Sequence, residues 1–361
     1  MEAVYIHIPF CKRICSYCDF PKVLHIDSFV DDYLDALHNE IMNKYDGERI
    51  STIYVGGGTP SCLSSKERVK LFRILTIFNK TPDCEFTFEC NPMDINESLL
   101  DDLVQGGVNR VSIGVQSFDI NNLKFMERNS EFDDINDKLE MIRRRGIDSI
   151  NIDLMYAIPG EKLATLKKDL AKFVKLKPTH ISTYSLIIED HTKIKNQNVQ
   201  YISEDLDAKM YETIVKYLED YGYKRYEVSN FSLEGFESKH NLNYWDNGEY
   251  YGFGLGASGF IGNVRYTNTR NLHEYIRGNY VAYSDILDDR MHMDNELMLG
   301  LRKIEGINVN TFFEKYGCNI QEVYPKLKDF ILNKKIIYKD GYIKVNPKDI
   351  YVMNAILVDL L

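Results

Sequence analysis

Residues 5–20 read YIHIPFCKRICSYCDF, and this stretch decides how the rest of the chain is read, because it sets Cys11, Cys15 and Cys18 close together in one loop-like run. A cube of four irons and four sulfides normally takes four cysteine thiolates. Three cysteines in CxxxCxxC spacing, with no fourth nearby, leave one iron open to a chelating ligand such as S-adenosylmethionine (SAM), which binds through its amino and carboxylate groups. Cys15 and Cys18 alone also make a common zinc half-site. A zinc tetrahedron would need a fourth ligand such as His7, and the sequence has no second CxxC and no HxxxH pair. The spacing favours the cluster and leaves zinc open as the alternative.

Composition narrows the function classes. The 361 residues, 44% hydrophobic and 27% charged, suffice for one barrel-sized domain plus an appendage. A net charge of −10 and a pI near 5.4 argue against a phosphate-backbone footprint, so no nucleic acid is expected as partner. The seven cysteines are odd in number and lack the spacing of a disulfide framework, which points to a reduced, cytoplasmic setting. No targeting leader is expected ahead of Cys11, and no apolar run is long enough to predict a bilayer span.

Working outward, short β-branched or aromatic runs alternate with helical patterns. Strands are expected over 4–8, 52–55, 85–89, 110–115, 149–154 and 179–185. Phe29, Tyr33, Leu34, Leu37 and Ile41 share one helical face, with Ser28 and Asp31 as a capping box. Further helices fit 64–78, 96–105, 133–145 and 161–175. Six βα units in succession predict a parallel sheet curled into a partial (βα)6 barrel, an α/β fold. Functional groups of such sheets gather where strands end. The cysteine loop, Gly56 to Thr59, Glu89, Gln116, Asp153 and Ser185 all fall at such ends and predict one site at one mouth.

Beyond Ser185 come a polar connector over 193–200, a helix over 205–221 and a strand over 223–231 that extends the sheet. HNLNYW at 240–245 holds His240 and the only tryptophan; a histidine among aromatics is usually a hydrogen-bonded structural residue. From about residue 288 helices over 296–303 and 310–316 precede a hairpin over 335–345 about Asp340 and Gly341, a winged-helix-like α+β module expected to cap the barrel mouth or meet a partner. The expected domains are 1–230, 231–287 and 288–361. Cys90 reads as a small buried residue.

The cysteine string with YIHIPF before it and DF after it resembles the HemN/HemW branch of the radical-SAM superfamily, as do GGGTP (56–60), FTFECNP (86–92), GVNRVSIGVQSFD (107–119), INIDLMYAIPGE (150–161) and HNLNYW. The resemblance covers roughly residues 4–270. Porphyrinogen dehydrogenases of that branch carry another cysteine where this chain has Phe20, so the chain is similar to the haem-chaperone subgroup. The resemblance implies a 4Fe-4S cluster on Cys11, Cys15 and Cys18 with Tyr17 against it. It implies SAM lined by Tyr5, Gly57, Gly58, Thr59, Glu89, Gln116, Arg128 and Asp153, and haem ligated by His240. Asn129 stands where the subgroup often has histidine, and Ala157 where glycine is usual. No catalytic residue is assigned. The implied partners are haem-accepting proteins such as respiratory cytochromes and an electron donor, with room for peripheral membrane association through the acceptors and for a homodimer. The rival activity is oxygen-independent coproporphyrinogen III dehydrogenation.

Overall fold

The computed structural model describes residues 2–128, 134–197 and 199–361; Asn129 and Asp133, the expected start of a helix, lie outside them. Six strands, β1 (Glu2–Ile8), β2 (Arg49–Gly57), β3 (Asn79–Cys90), β4 (Arg110–Gln116), β5 (Ser149–Tyr156) and β6 (His180–Ser185), pair in parallel in chain order. Helices α1 (Asp27–Lys44), α2 (Ser65–Leu75), α3 (Glu97–Gln105), α4 (Ile120–Phe125), α5 (Ile135–Arg144) and α6 (Leu163–Lys175) lie in the connections, and α7 (Glu204–Asp220) follows β6.

The period of two along each strand divides the sheet into two chemically different faces. Val4, Ile6 and Ile8, Ile53 and Val55, Phe86 and Phe88, Val111 and Ile113, and Ile150 and Ile152 enter the hydrophobic core. Their neighbours Thr52 and Tyr54, Thr87 and Glu89, Arg110 and Ser112, and Asn151 and Asp153 take the opposite face and supply the polar interior of a partial barrel.

The sheet grows at both edges. β7 (Lys224–Arg225) and β8 (Asn230–Ser232) add antiparallel strands beyond β6, as expected for 223–231. On the other side β9 (Tyr250–Phe253) runs parallel to β1, followed by antiparallel β10 (Ser258–Ile261), β11 (Val264–Asn268) and β12 (Val281–Ile286). The order β12-β11-β10-β9-β1-β2-β3-β4-β5-β6-β8-β7 has two free ends, so the barrel stays open.

α8 (Lys239–Trp245) closes the end of the barrel away from the strand tips. The Glu85 carboxylate, early in β3, accepts from Ser238 Oγ (3.3 Å) and from the backbone N–H groups of Lys239 and His240 (both 3.0 Å). A carboxylate suits the positive end of a helix. α9 (Leu272–Ile276) packs on α1, and the C-terminal module follows with α10 (Asp289–Gly300), β13 (Ile307–Asn308), α11 (Val309–Tyr316), and the hairpin β14 (Ile336–Lys339) and β15 (Tyr342–Val345). The hairpin lies where expected, and β13 completes a three-stranded sheet.

Three expectations are corrected. The module does not cap the cavity, which no described residue of it lines: α10 packs on α8 at the floor, Lys303 pairs with Asp246, Glu227 bridges to Lys303, Asn247 Nδ2 donates to Glu296 (3.3 Å), and Tyr351 meets the Tyr211 ring of α7 (5.9 Å). Ser28 caps nothing, because α1 already starts at Asp27 and its flanking residue Ile26 makes no side-chain cap. The real capping box is Ser64 with Glu67 at α2. Finally, α6 starts at Leu163 and not at residue 161, since the Glu161 carboxylate is held by Ile158 N–H and Asn122 Nδ2, both at 3.2 Å.

Candidate functional site

The loop leaving β1 folds back over the strand ends. A short parallel pairing of Phe10–Cys11 with Val23–Leu24 fixes its base, and Ser16 Oγ donates to the Phe125 carbonyl (2.9 Å). Lys22 Nζ donates to the carbonyl oxygens of Cys18 (2.5 Å) and Phe20 (3.3 Å). These ties bring Cys11, Cys15 and Cys18 to one wall of a cavity of about 480 Å³. None of the cysteines is in a disulfide. Thr59 Oγ1 donates to Cys11 Sγ (3.5 Å), and Arg128 donates to Cys15 Sγ (3.6 Å), to the Tyr17 hydroxyl (3.3 Å) and to the Gly114 carbonyl. Burial pushes the Cys11 thiol up to about 11 and raises that of Cys18. Thiolates at these positions therefore call for a metal cation, which replaces the proton.

His7 is not placed to complete a zinc tetrahedron. Its Nε2 donates to the Pro21 carbonyl (2.7 Å), which leaves Nδ1 to accept from the Tyr5 hydroxyl (3.0 Å), and neither residue lines the cavity. Burial lowers the His7 pKa to about 4. Cys90 borders the same cavity, but it is buried in the hydrophobic core with its Sγ donating to the Phe88 carbonyl (4.0 Å), as expected of a small buried residue. The thiols gathered on the loop are three, with no imidazole lining the cavity among the described residues, which fits an iron–sulfur cube with one open iron better than structural zinc.

The glycine turn has a reason beyond ligand approach. A Cβ at Gly57 would lie 2.5 Å from the His7 ring, and one at Gly58 would lie 2.7 Å from the Pro9 backbone. Glycine thus lets β2 end flush against the cysteine loop, and the same close approach presents Gly57, Gly58 and Thr59 to the cavity. Gly57 N–H donates to Glu89 Oε2 (3.0 Å) and the Tyr54 hydroxyl to Oε1 (2.8 Å). Burial lifts Glu89 to about 7, and lifts Asp153, which accepts from Asn151 Nδ2 (2.8 Å), to about 6.

Gln116 ends β4 at φ 72°, a left-handed conformation that non-glycine residues seldom adopt, and its buried Oε1 has no hydrogen-bond partner among the described residues. An orphaned acceptor beside two acids and three thiols suits a ligand with a cationic amino group. Ala157, in the place of a glycine, also sits at positive φ, 60°.

Of the expected residues, Cys11, Cys15, Cys18, Tyr17, Gly57, Gly58, Thr59, Glu89, Gln116, Arg128 and Asp153 line this one cavity. Tyr5 stands behind the wall. His240 lies elsewhere, on the floor helix, only 1% exposed. Its Nδ1 is bonded to Thr52 Oγ1 and its Nε2 to the Tyr244 hydroxyl (2.8 Å each), and the ring stacks on Tyr54. Burial lowers its pKa to about 3. Both nitrogens are taken, so an iron could reach His240 only if one bond broke and α8 shifted.

Sequence reasoning missed Tyr54, Arg110, Ser112, Asn151, Ser182, Tyr184 and Asn241, all cavity-lining. Alternation would have found most of them: Arg110, Ser112, Gly114 and Gln116 share one face of β4, as do Asn151 and Asp153 on β5.

The sequence family described as the radical SAM superfamily matches residues 5–173, and that of the HemN C-terminal domain matches residues 287–352. The chain is 41% identical to the heme chaperone HemW of Lactococcus lactis over 350 residues, covering 94% of this chain and 91% of that protein. It is 34% identical to the heme chaperone HemW of Escherichia coli over 365 residues, covering 98% and 97%. In structure it is similar to the Escherichia coli coproporphyrinogen III oxidase HemN, a radical SAM enzyme, at TM-score 0.87 and 21% identity, over 99% of this chain and 89% of that one. At that identity the likeness is one of fold.

Proposed function

The chain belongs to the HemW family of haem chaperones within the radical SAM superfamily, and from that premise we propose that it binds haem at the mouth of the thiol-lined cavity and passes it to acceptor proteins. Radical SAM membership implies a 4Fe-4S cluster and SAM. Cys11, Cys15 and Cys18 would hold the cluster, and Gly57, Gly58, Thr59, Glu89, Gln116, Arg128 and Asp153 would orient SAM. When bound, the cluster supplies an electron that splits a carbon–sulfur bond of SAM. The chain's own part is positional: Arg128 fixes Tyr17 beside Cys15, Gln116 Oε1 offers an acceptor to the amino group, and Glu89 keeps the Gly57 turn shut against the loop.

The observation that carries the chaperone reading is the apolar rim. Phe20 and Ile187 are each 63% exposed and Tyr184 41%, and all three line the mouth next to the cysteines. An apolar patch left open in this way marks a binding surface, and a flat apolar macrocycle that must later be released fits it. Phe20 stands at the position where the porphyrinogen dehydrogenases have a cysteine. Respiratory cytochromes as acceptors, and an electron donor for the cluster, complete the proposal.

The test uses cluster-loaded, reduced protein. Haem preloaded on it should move to an apo-cytochrome, while coproporphyrinogen III supplied with SAM should be recovered unchanged. Sustained decarboxylation of coproporphyrinogen III without haem transfer would establish the dehydrogenase instead.

A further inference from the structure

The cavity continues past the groups assigned to SAM and reaches a closed end that the proposed function leaves without a task. Arg110, the first residue of β4, is 2% exposed and lines this end. Among the described residues its Nε has no partner, and its hydrogen bond from Nη1 to Thr87 Oγ1 is long, at 3.4 Å. Among the described residues no carboxylate lies within the 4.0 Å of an ion pair with it. The acids facing the same interior feel the charge of Arg110, which opposes the lift that burial gives their pKa values, but their hydrogen bonds go elsewhere, Glu89 to Tyr54 and Gly57 and Asp153 to Asn151. His180 is bonded to Asn151 and Tyr226, and His240 to Thr52 and Tyr244; burial keeps both rings neutral. Asn241, on α8, brings an amide to the same cavity.

A guanidinium has five N–H donors, and burying it with Nε–H unmade and its one hydrogen bond long is costly unless something else supplies acceptors. Its planar fork matches a carboxylate. A dianion is disfavoured, because Glu89 and Asp153 share the interior and one fixed cation balances one negative charge.

We propose that the closed end of the cavity is a carboxylate-binding pocket built on Arg110, with Asn241 as a second donor, and that it seats a propionate arm of the bound tetrapyrrole. The tetrapyrrole rests on the haem reading above; the pocket itself rests on the orphaned guanidinium. A ligand entering at the apolar rim thus meets Phe20, Ile187 and Tyr184 first and a buried cation last.

Two acid and ester pairs test the assignment: haem against its dimethyl ester, and coproporphyrin III against its tetramethyl ester, titrated into wild type, Arg110→Gln, Arg110→Lys and Asn241→Ala. Wild type should prefer each acid over its ester by about tenfold or more, the worth of a charge-assisted hydrogen-bonded pair. Arg110→Gln should lose the preference, Arg110→Lys should keep part of it, and Asn241→Ala should weaken it. Because the comparison within wild type changes only the ligand, it holds even if a variant folds poorly. Equal binding of acids and esters by wild type, or an undiminished preference in folded Arg110→Gln, overturns the pocket and leaves haem binding standing. Preference for coproporphyrin III acid with no binding of haem supports the pocket and overturns the haem reading. Binding of none of the four overturns both.

Discussion

Glu89 shows how a single buried acid links the site to stability. Its carboxylate touches Tyr54 and Gly57, and burial lifts its pKa from the ordinary 4.5 to about 7. A raised acid binds more protons folded than unfolded, so its contribution is full below about pH 4.5 and is lost as pH rises toward 7. Asp153, lifted from 3.8 to about 6, acts in the same direction over a lower window. The metal-free protein should therefore be more resistant to urea at about pH 5 than at about pH 8 through these groups, and Glu89→Gln should narrow that difference by on the order of 2 kcal/mol. A wild type whose urea midpoint difference between the two pH values is unaltered in Glu89→Gln would show that Glu89 is ionised throughout. Filling the site with a cationic ligand should reverse the effect and release a proton, since a nearby positive charge favours the carboxylate.

At the scale of elements, the strand ends were legible because three thiols, three glycines and single acids or amides at the tips of apolar strands rarely coincide unless they meet at one shared ligand. The position of α8 was not legible. HNLNYW is a short polar and aromatic run with no sign of which barrel end it closes, and the contact that decides it, His240 with Thr52, spans 188 residues. The cap of α1 failed for a related reason: Ser28 and Asp31 have the right spacing, but α1 begins ahead of them. Two predictions separate apparent from real local signals. Ser64→Ala should cost about 1 kcal/mol in chemical denaturation, whereas Ser28→Ala should stay within about 0.5 kcal/mol; equal costs would contradict the assigned helix starts. Glu85→Ala removes three acceptor contacts from the start of α8 and should shift the emission of Trp245, the chain's only tryptophan, to the red. An unchanged spectrum would mean that the floor helix does not depend on Glu85.

Over the whole molecule, chemistry is divided along the barrel axis. Thiols, the glycine turn, Glu89, Gln116 and an apolar rim gather at the mouth, Asp153 and Asn151 lie deeper, and Arg110 and the His240 helix form the floor, on which the C-terminal module packs. Among the described residues no helix is long and apolar enough to cross a membrane. All of this depends on what the three cysteines hold. Metal and sulfide analysis of protein purified without oxygen is the most direct test. About four irons and about four sulfides per chain are expected, falling together in Cys11→Ala, Cys15→Ala and Cys18→Ala. Zinc in stoichiometric amount, or iron and sulfide that persist in those three variants, would contradict the account.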